Sequence, residues 1–116
     1  MTFSNALEYA HYRDQKAAYG LMNIEDKGDT LKISDIGELA ASNAAQVRED
    51  ARGALKEGHK NLDIDLSTTR FLDSSGLGTL IALHKTMIAQ AGQVRLLDPT
   101  PMVTQVLELT RMHRIF

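Results

Sequence analysis

Residues 71–78 read FLDSSGLG: an acid, two hydroxyls, then two glycines separated by a leucine. They stand between a strand-like stretch, LDIDLS (62–67), and a long apolar helical pattern, so the segment falls at the mouth of a helix. A helix N-terminus carries four unpaired N–H groups and the positive end of the helix dipole. Two kinds of chemistry suit that place. A Ser74 or Ser75 hydroxyl can cap one amide, worth about 0.5–2 kcal/mol relative to alanine, with Asp73 ending the preceding turn. Alternatively, one of these serines takes a phosphoryl group. The exposed amides favour it, and it places about 1.5–2 negative charges beside Asp73, with Asp65 as a second acid of the region. Gly76 and Gly78 permit close backbone approach while each costs roughly 1 kcal/mol of helix propensity. The residue types alone leave both readings open.

Other chemistries find less support. GLG is too short to cradle phosphates, and the chain has neither GxxxxGK[ST] nor GxGxxG. Asp65 and Asp73 could hold a divalent cation or an acyl phosphate, but no third acidic ligand or catalytic lysine is clearly placed. His11, His59, His84 and His113 come with no local signature for serine hydrolysis, and no GxSxG is present. His84 falls on the apolar side of its helix, as a core or boundary histidine does. Lys85 projects from the helix edge, as a solvated charge or a partner contact. Met87 and Met102 read as core packing. Glu25, Asp26 and Asp29 surround a turn that needs only solvent.

Composition narrows the classes further. The 116 residues suit one domain, and 43% hydrophobic with 24% charged residues suits a folded globule. The net charge is −2 and the basic residues are scattered, which argues against a nucleic-acid surface. Without cysteine there are no disulfides or thiolates. No apolar run approaches the roughly 20 residues of a membrane span, and no secretory signal opens the chain. The expectation is a cytoplasmic protein without membrane insertion and without a cofactor.

The elements that must position residues 71–78 follow from periodicity. Residues 1–20 form an N-terminal extension, either a loosely attached helix or a frayed arm. LMNIE and TLKIS read as a hairpin around Gly28, with Leu31 and Ile33 on one face. DIGELAAS leads into a helix from near Asn43. Val47, Ala51, Ala54 and Leu55 lie inward; Arg48, Glu49, Arg52 and Lys56 lie largely on the other side. Asn43 and Gln46 have capping-box spacing, and Gly58 reads as the terminator. LDIDLS is a strand that stays central if Asp65 lies at its end. A helix from Ser75 to about Ala91 turns Leu77, Leu80, Ile81, His84, Met87 and Ile88 to one side, and Gly92 closes it. QVRLLD is a strand. Thr100 caps a last helix with Pro101 at its first position and Val103, Val106 and Leu107 inward. HRIF adds a short strand or packs Ile115 and Phe116 on the core. The helical connections permit parallel pairing, so the reading is one α/β domain with a mixed, mostly parallel sheet.

DLSTTRFLDSSGLGTLIALHK (65–85), with IGEL (36–39) and RLLDPTPMVTQVLELTRMHRIF (95–116), resembles the STAS-domain family, especially its anti-sigma factor antagonists. The resemblance spans residues 21–116, taken as the STAS domain. It implies helices mainly on one face of the sheet and an exposed loop before the second main helix. It also implies a non-enzymatic switch with Ser74 as phosphoacceptor. Asp65, Phe71, Asp73, Ser75, Gly76, Leu77, Gly78 and Lys85 then form the phospho-loop and docking face. The implied partners are an anti-sigma factor serine kinase of histidine-kinase-like ATPase fold and a serine phosphatase. Related domains also act as accessory or scaffold subunits of lipid transporters or stress-signalling complexes, without regulated phosphorylation. Ala40 departs from the pattern, since relatives often carry an acid directly after GEL.

Overall fold

The computed structural model describes residues 22–116; the expectations for residues 1–20 and for Leu21 lie outside them. In chain order the elements are β1 (Asn23–Asp26), β2 (Thr30–Ser34), β3 (Glu38–Leu39), α1 (Ala44–Ala54), β4 (Asn61–Asp65), β5 (Phe71–Leu72), α2 (Ser74–Ala89), β6 (Gln93–Leu97) and α3 (Pro101–Leu109). A 3₁₀ turn, Met112–Arg114, follows. β1 and β2 form the expected antiparallel hairpin, with Ile24 opposite Ile33 and Gly28 at φ +81° in its turn. Beyond the hairpin, helical crossovers allow β2, β4 and β6 to pair in parallel. The main sheet therefore runs β1-β2-β4-β6, with β4 inside it. A second parallel pair, β3 with β5, has no counterpart in the sequence reading, because two residues are too few to show a period.

Strand alternation sorts the two faces of the sheet. Leu31, Ile33, Leu62 and Ile64 are buried with Leu66 against Val47 and Ala51 of α1, Leu80, Leu83 and Met87 of α2, and Val103 and Leu107 of α3. The intervening positions carry charge. Glu25, Lys32, Asp63 and Arg95 are successive register partners across the four strands, with alternating sign. Arg95 donates to Asp63 twice, Nε to Oδ1 at 2.6 Å and Nη2 to Oδ2 at 3.0 Å. A central strand can thus keep two acids: Asp63 is paired across the strand, and Asp65 sits at its end.

Several boundaries differ from expectation. Helix α1 stops at Ala54, where Leu55 turns extended (φ −69°, ψ 136°), four residues before Gly58. A histidine organises this exit. His59 is buried; its Nδ1 accepts the Lys56 N–H at 2.9 Å. Nε2 therefore carries the proton and donates to Asp26 Oδ1 at 3.0 Å, while Lys56 Nζ lies 3.1 Å from Asp26 Oδ2. Asp26 is thus part of a latch rather than a solvated turn acid. Asn43 makes no capping bond to α1. Its Oδ1 accepts from the Ala40 N–H and its Nδ2 donates to the Glu38 carbonyl, folding the approach to the helix.

Helix α2 begins at Ser74 and buries Gly76, Thr79, Leu80, Leu83 and Met87. Leu77, Ile81 and His84 are only partly buried and Ile88 is 57% exposed, so the inward stripe is rotated from the expected one. The cause is the unbroken run LIAL, in which apolarity alone does not select a face. After the helix Gly92 is necessary, since a Cβ there would meet the Lys60 carbonyl oxygen at 2.7 Å. Thr100 caps α3 as expected, accepting from Val103 N–H and donating to the Thr69 carbonyl. The tail forms no strand; Phe116 packs edge-on against His84, ring centroids 5.5 Å apart, and Ile115 stays exposed. No helix among the described residues is long and apolar enough to cross a membrane.

The His59 hydrogen bond, then Lys56, lower the Asp26 carboxyl from its ordinary 3.8 to about 2. A depressed folded-state value stabilises above the unfolded value and is lost as pH falls through the folded one. Urea unfolding at a series of pH values should therefore show Asp26→Asn losing part of the wild-type decline between about pH 4 and pH 2. An unchanged acid limb would remove Asp26 from the stabilising groups.

Candidate functional site

The segment 71–78 is built around Asp73. Phe71 and Leu72 form β5 beside Glu38 and Leu39 of β3, which leaves Phe71 51% exposed and Leu72 buried. The next residue leaves the strand: Asp73 has φ −112° and ψ −172° and is the N-cap of α2. Its Oδ1 accepts the Gly76 N–H at 3.0 Å, and its Oδ2 accepts the Ala41 N–H at 3.0 Å. One carboxylate thereby joins the start of α2 to the connection between β3 and α1. Thr79 adds a second tie one turn later, donating to the Ala44 carbonyl at 2.9 Å. The Gly76 amide, and then that of Ala41, hold the Asp73 carboxyl below the usual carboxylate range.

The cap therefore belongs to Asp73, not to either serine. Ser74 and Ser75 are the first two residues of α2 and both are exposed. The glycines divide as well. Gly76 is buried, and a methyl there would collide with the Leu39 carbonyl oxygen and come within 2.6 Å of Leu72 Cδ1. Gly78 faces open space, so only the first glycine serves close approach.

Other residues expected at the site fall in different surroundings. Asp65 accepts from the Ser67 N–H at 2.9 Å, and Lys32 Nζ lies 4.0 Å from its other oxygen. Ser67, followed by Lys32, lowers its carboxyl below the ordinary value. Its partners are thus distinct from those of Asp73. Leu77 is partly buried against the core, whereas Lys85 is exposed farther along α2. The described histidines have their own contacts: His59 in the Asp26 latch, His84 on Phe116, and His113 Nδ1 at 3.4 Å from the Leu107 carbonyl.

The sequence reading overlooks Ala41, Thr79 and Arg48. Ala41 takes part through its backbone, which its side chain cannot advertise. Thr79 is a polar residue one turn into an apolar helix, a visible clue to a buried hydroxyl with a partner. Arg48 belongs to the face expected to be solvated. It is partly buried instead, lining a groove between the starts of α1 and α2 with Ser75 and Gly78.

A four-stranded mixed sheet, helices on one face and an acid-capped helix start presenting two serines define the class. The chain belongs to the STAS-domain family, whose model matches residues 22–116. It is 30% identical to the anti-sigma F factor antagonist of Lysinibacillus sphaericus over 83 residues, 71% of each chain. The anti-sigma factor antagonist SpoIIAA, solved in its unphosphorylated form, is similar with a TM-score of 0.70 and 26% identity. That match covers 78% of this chain and 81% of the other. The Bacillus cell fate determinant SpoIIAA in its phosphorylated form gives 0.65 and 25%, over 80% and 86%.

Substitution should separate the glycines and the cap. Gly76→Ala is expected to destabilise by about 1–3 kcal/mol through overpacking. Gly78→Ala, which meets nothing, should gain up to about 1 kcal/mol of helix propensity. Asp73→Ala should lose about 0.5–2 kcal/mol with its cap. Urea unfolding of the three variants measures each. Equal effects at the two glycines would contradict the contact with Leu39.

Proposed function

We propose that this chain is an anti-sigma factor antagonist whose binding is controlled by phosphorylation of Ser74. The observation that supports this best is the exposed Ser74 side chain at the first turn of a helix that Asp73 already caps. Modifying the serine removes no capping bond. Membership of the STAS family and the likeness to anti-sigma factor antagonists support the partner class proposed here. That class is an anti-sigma factor with a histidine-kinase-like ATPase fold, opposed by a serine phosphatase. The chain itself is a binding protein. Residues 21–116 form the switching domain, with Asp65, Phe71, Asp73, Ser75, Gly76, Leu77, Gly78 and Lys85 as the phospho-loop and docking face around Ser74. Residues 1–20 are an extension to it.

The mechanism is a local charge event. ATP held by the partner supplies the phosphoryl group: the Ser74 Oγ–P bond forms, the bond from the γ-phosphorus to ADP breaks, and the hydroxyl proton departs. The product carries about 1.5–2 negative charges at pH 7. A phosphate on the first turn of α2 sits at the favourable end of the dipole, so the fold keeps its stability. The partner instead meets a doubly charged group within its contact, next to Asp73, and leaves.

Incubation with ATP and the cognate kinase, followed by mass spectrometry, should place phosphate on Ser74. An active kinase that leaves Ser74 unmodified would overturn the acceptor assignment. Ser74→Asp should weaken partner binding without lowering the unfolding midpoint, and Ser74→Ala should bind while resisting modification. Loss of fold in both variants would return the serine to a structural role.

A further inference from the structure

The groove between the starts of α1 and α2 has a volume of about 290 Å³. Ala41, Ala44 and Ala45 contribute from the α1 side, and Ser75 and Gly78 from α2. These small residues leave space where larger side chains would fill it. Among the described residues, Arg48 is the one charged residue lining it, and its Nε is fully enclosed and has no hydrogen-bond partner there. A guanidinium has five N–H donors in a planar fork and no acceptor. The enclosed, unpaired Nε carries a standing cost and marks the side chain as held in the groove wall, while the rest of the fork, which is not enclosed, is what an incoming anion would meet. Arg48 is also four residues from Ala44, whose carbonyl is occupied by Thr79, so the helix contact that forms the groove also positions this part of α1.

We infer that this groove is the subsite in which the protein partner inserts an acidic side chain, with Arg48 as its ionic anchor. The inference rests on the phospho-switch reading and extends it to how the partner is recognised. The chemistry of the occupant follows from the groove: a carboxylate matches the guanidinium fork, and its short aliphatic stem fits between alanine and glycine walls. The position also links recognition to the switch. Ser75 lines the groove and Ser74 precedes it, so phosphate on Ser74 introduces negative charge near the place where the partner's carboxylate arrives. Like charges then oppose each other at one guanidinium, and docking weakens without a change of fold.

The test is isothermal titration of the unphosphorylated chain with the kinase-like anti-sigma factor that modifies it. Arg48→Gln should weaken binding by about 10-fold or more, as truncating one member of a desolvated charge pair does. Arg48→Lys should recover only part of that loss, because an ammonium lacks the planar fork. Ala45→Leu alters an exposed groove residue and keeps the charge; it should also weaken binding while leaving the unfolding midpoint near wild type. Affinity of the wild-type chain should fall more steeply with added salt than that of Arg48→Gln. Wild-type affinity in both Arg48→Gln and Ala45→Leu would overturn the subsite and leave the phospho-switch standing. A wild-type chain that binds no such anti-sigma factor would overturn both.

Discussion

The Asp73 carboxylate accepts one amide from the helix it caps and another from the connection across from it. That double engagement fixes the start of α2 relative to β3 and α1, and it requires Gly76, because the helix backbone lies against the Leu39 carbonyl there. A cap that served only its own helix would leave this angle free. Thr79, bonded to the Ala44 carbonyl, repeats the constraint a turn later. The exposed serines and the neighbouring groove depend on these contacts for their relative placement.

Functions are divided among adjacent residues. Asp73 handles the helix terminus, Gly76 permits the close contact, and Leu72 anchors the strand beneath. Ser74 and Ser75 are left facing solvent. A residue that both capped the helix and received phosphate would couple signalling to stability, since modification would remove a capping bond. Here the capping carboxylate and the first exposed hydroxyl are separated by one peptide unit. The same economy appears at the far end of α1, where the buried His59 ring joins the Asp26 side chain to the Lys56 backbone and closes the helix exit.

Much of this fold is legible in periodicity. TLKIS and LDIDLS alternate cleanly and QVRLLD does so over its first four residues, and the lengths between them suit helical crossovers, so the parallel sheet follows from spacing. The position of α2 is also legible, but its buried side is not: LIAL is apolar all round, and contacts with α1 and the sheet choose Leu83 over Ile81 and Ile88. β3 and β5 escape detection because each is two residues long and exists only through its partner. At the candidate site, DSSG announces a helix start but not which residue caps it. Three neighbouring side chains can each accept a hydrogen bond, and the choice of Asp73 depends on Ala41, more than thirty residues earlier in the chain. Arg48 was hidden for a similar reason, since a charge on a polar helix face reads as solvated until another helix encloses it.

Among the described residues, the charged row on the outer sheet face ends at β6, whose far side no further strand pairs. A second molecule adding itself there in register would have to place a residue beside Arg95, whose guanidinium is already held by Asp63. An aliphatic residue in that place would press on a charge, and a basic one would repel it. The alternation that lets β4 keep its acids therefore also discourages indiscriminate strand addition, the first step of fibril growth. A flank of this kind resists sticking to copies of the domain itself.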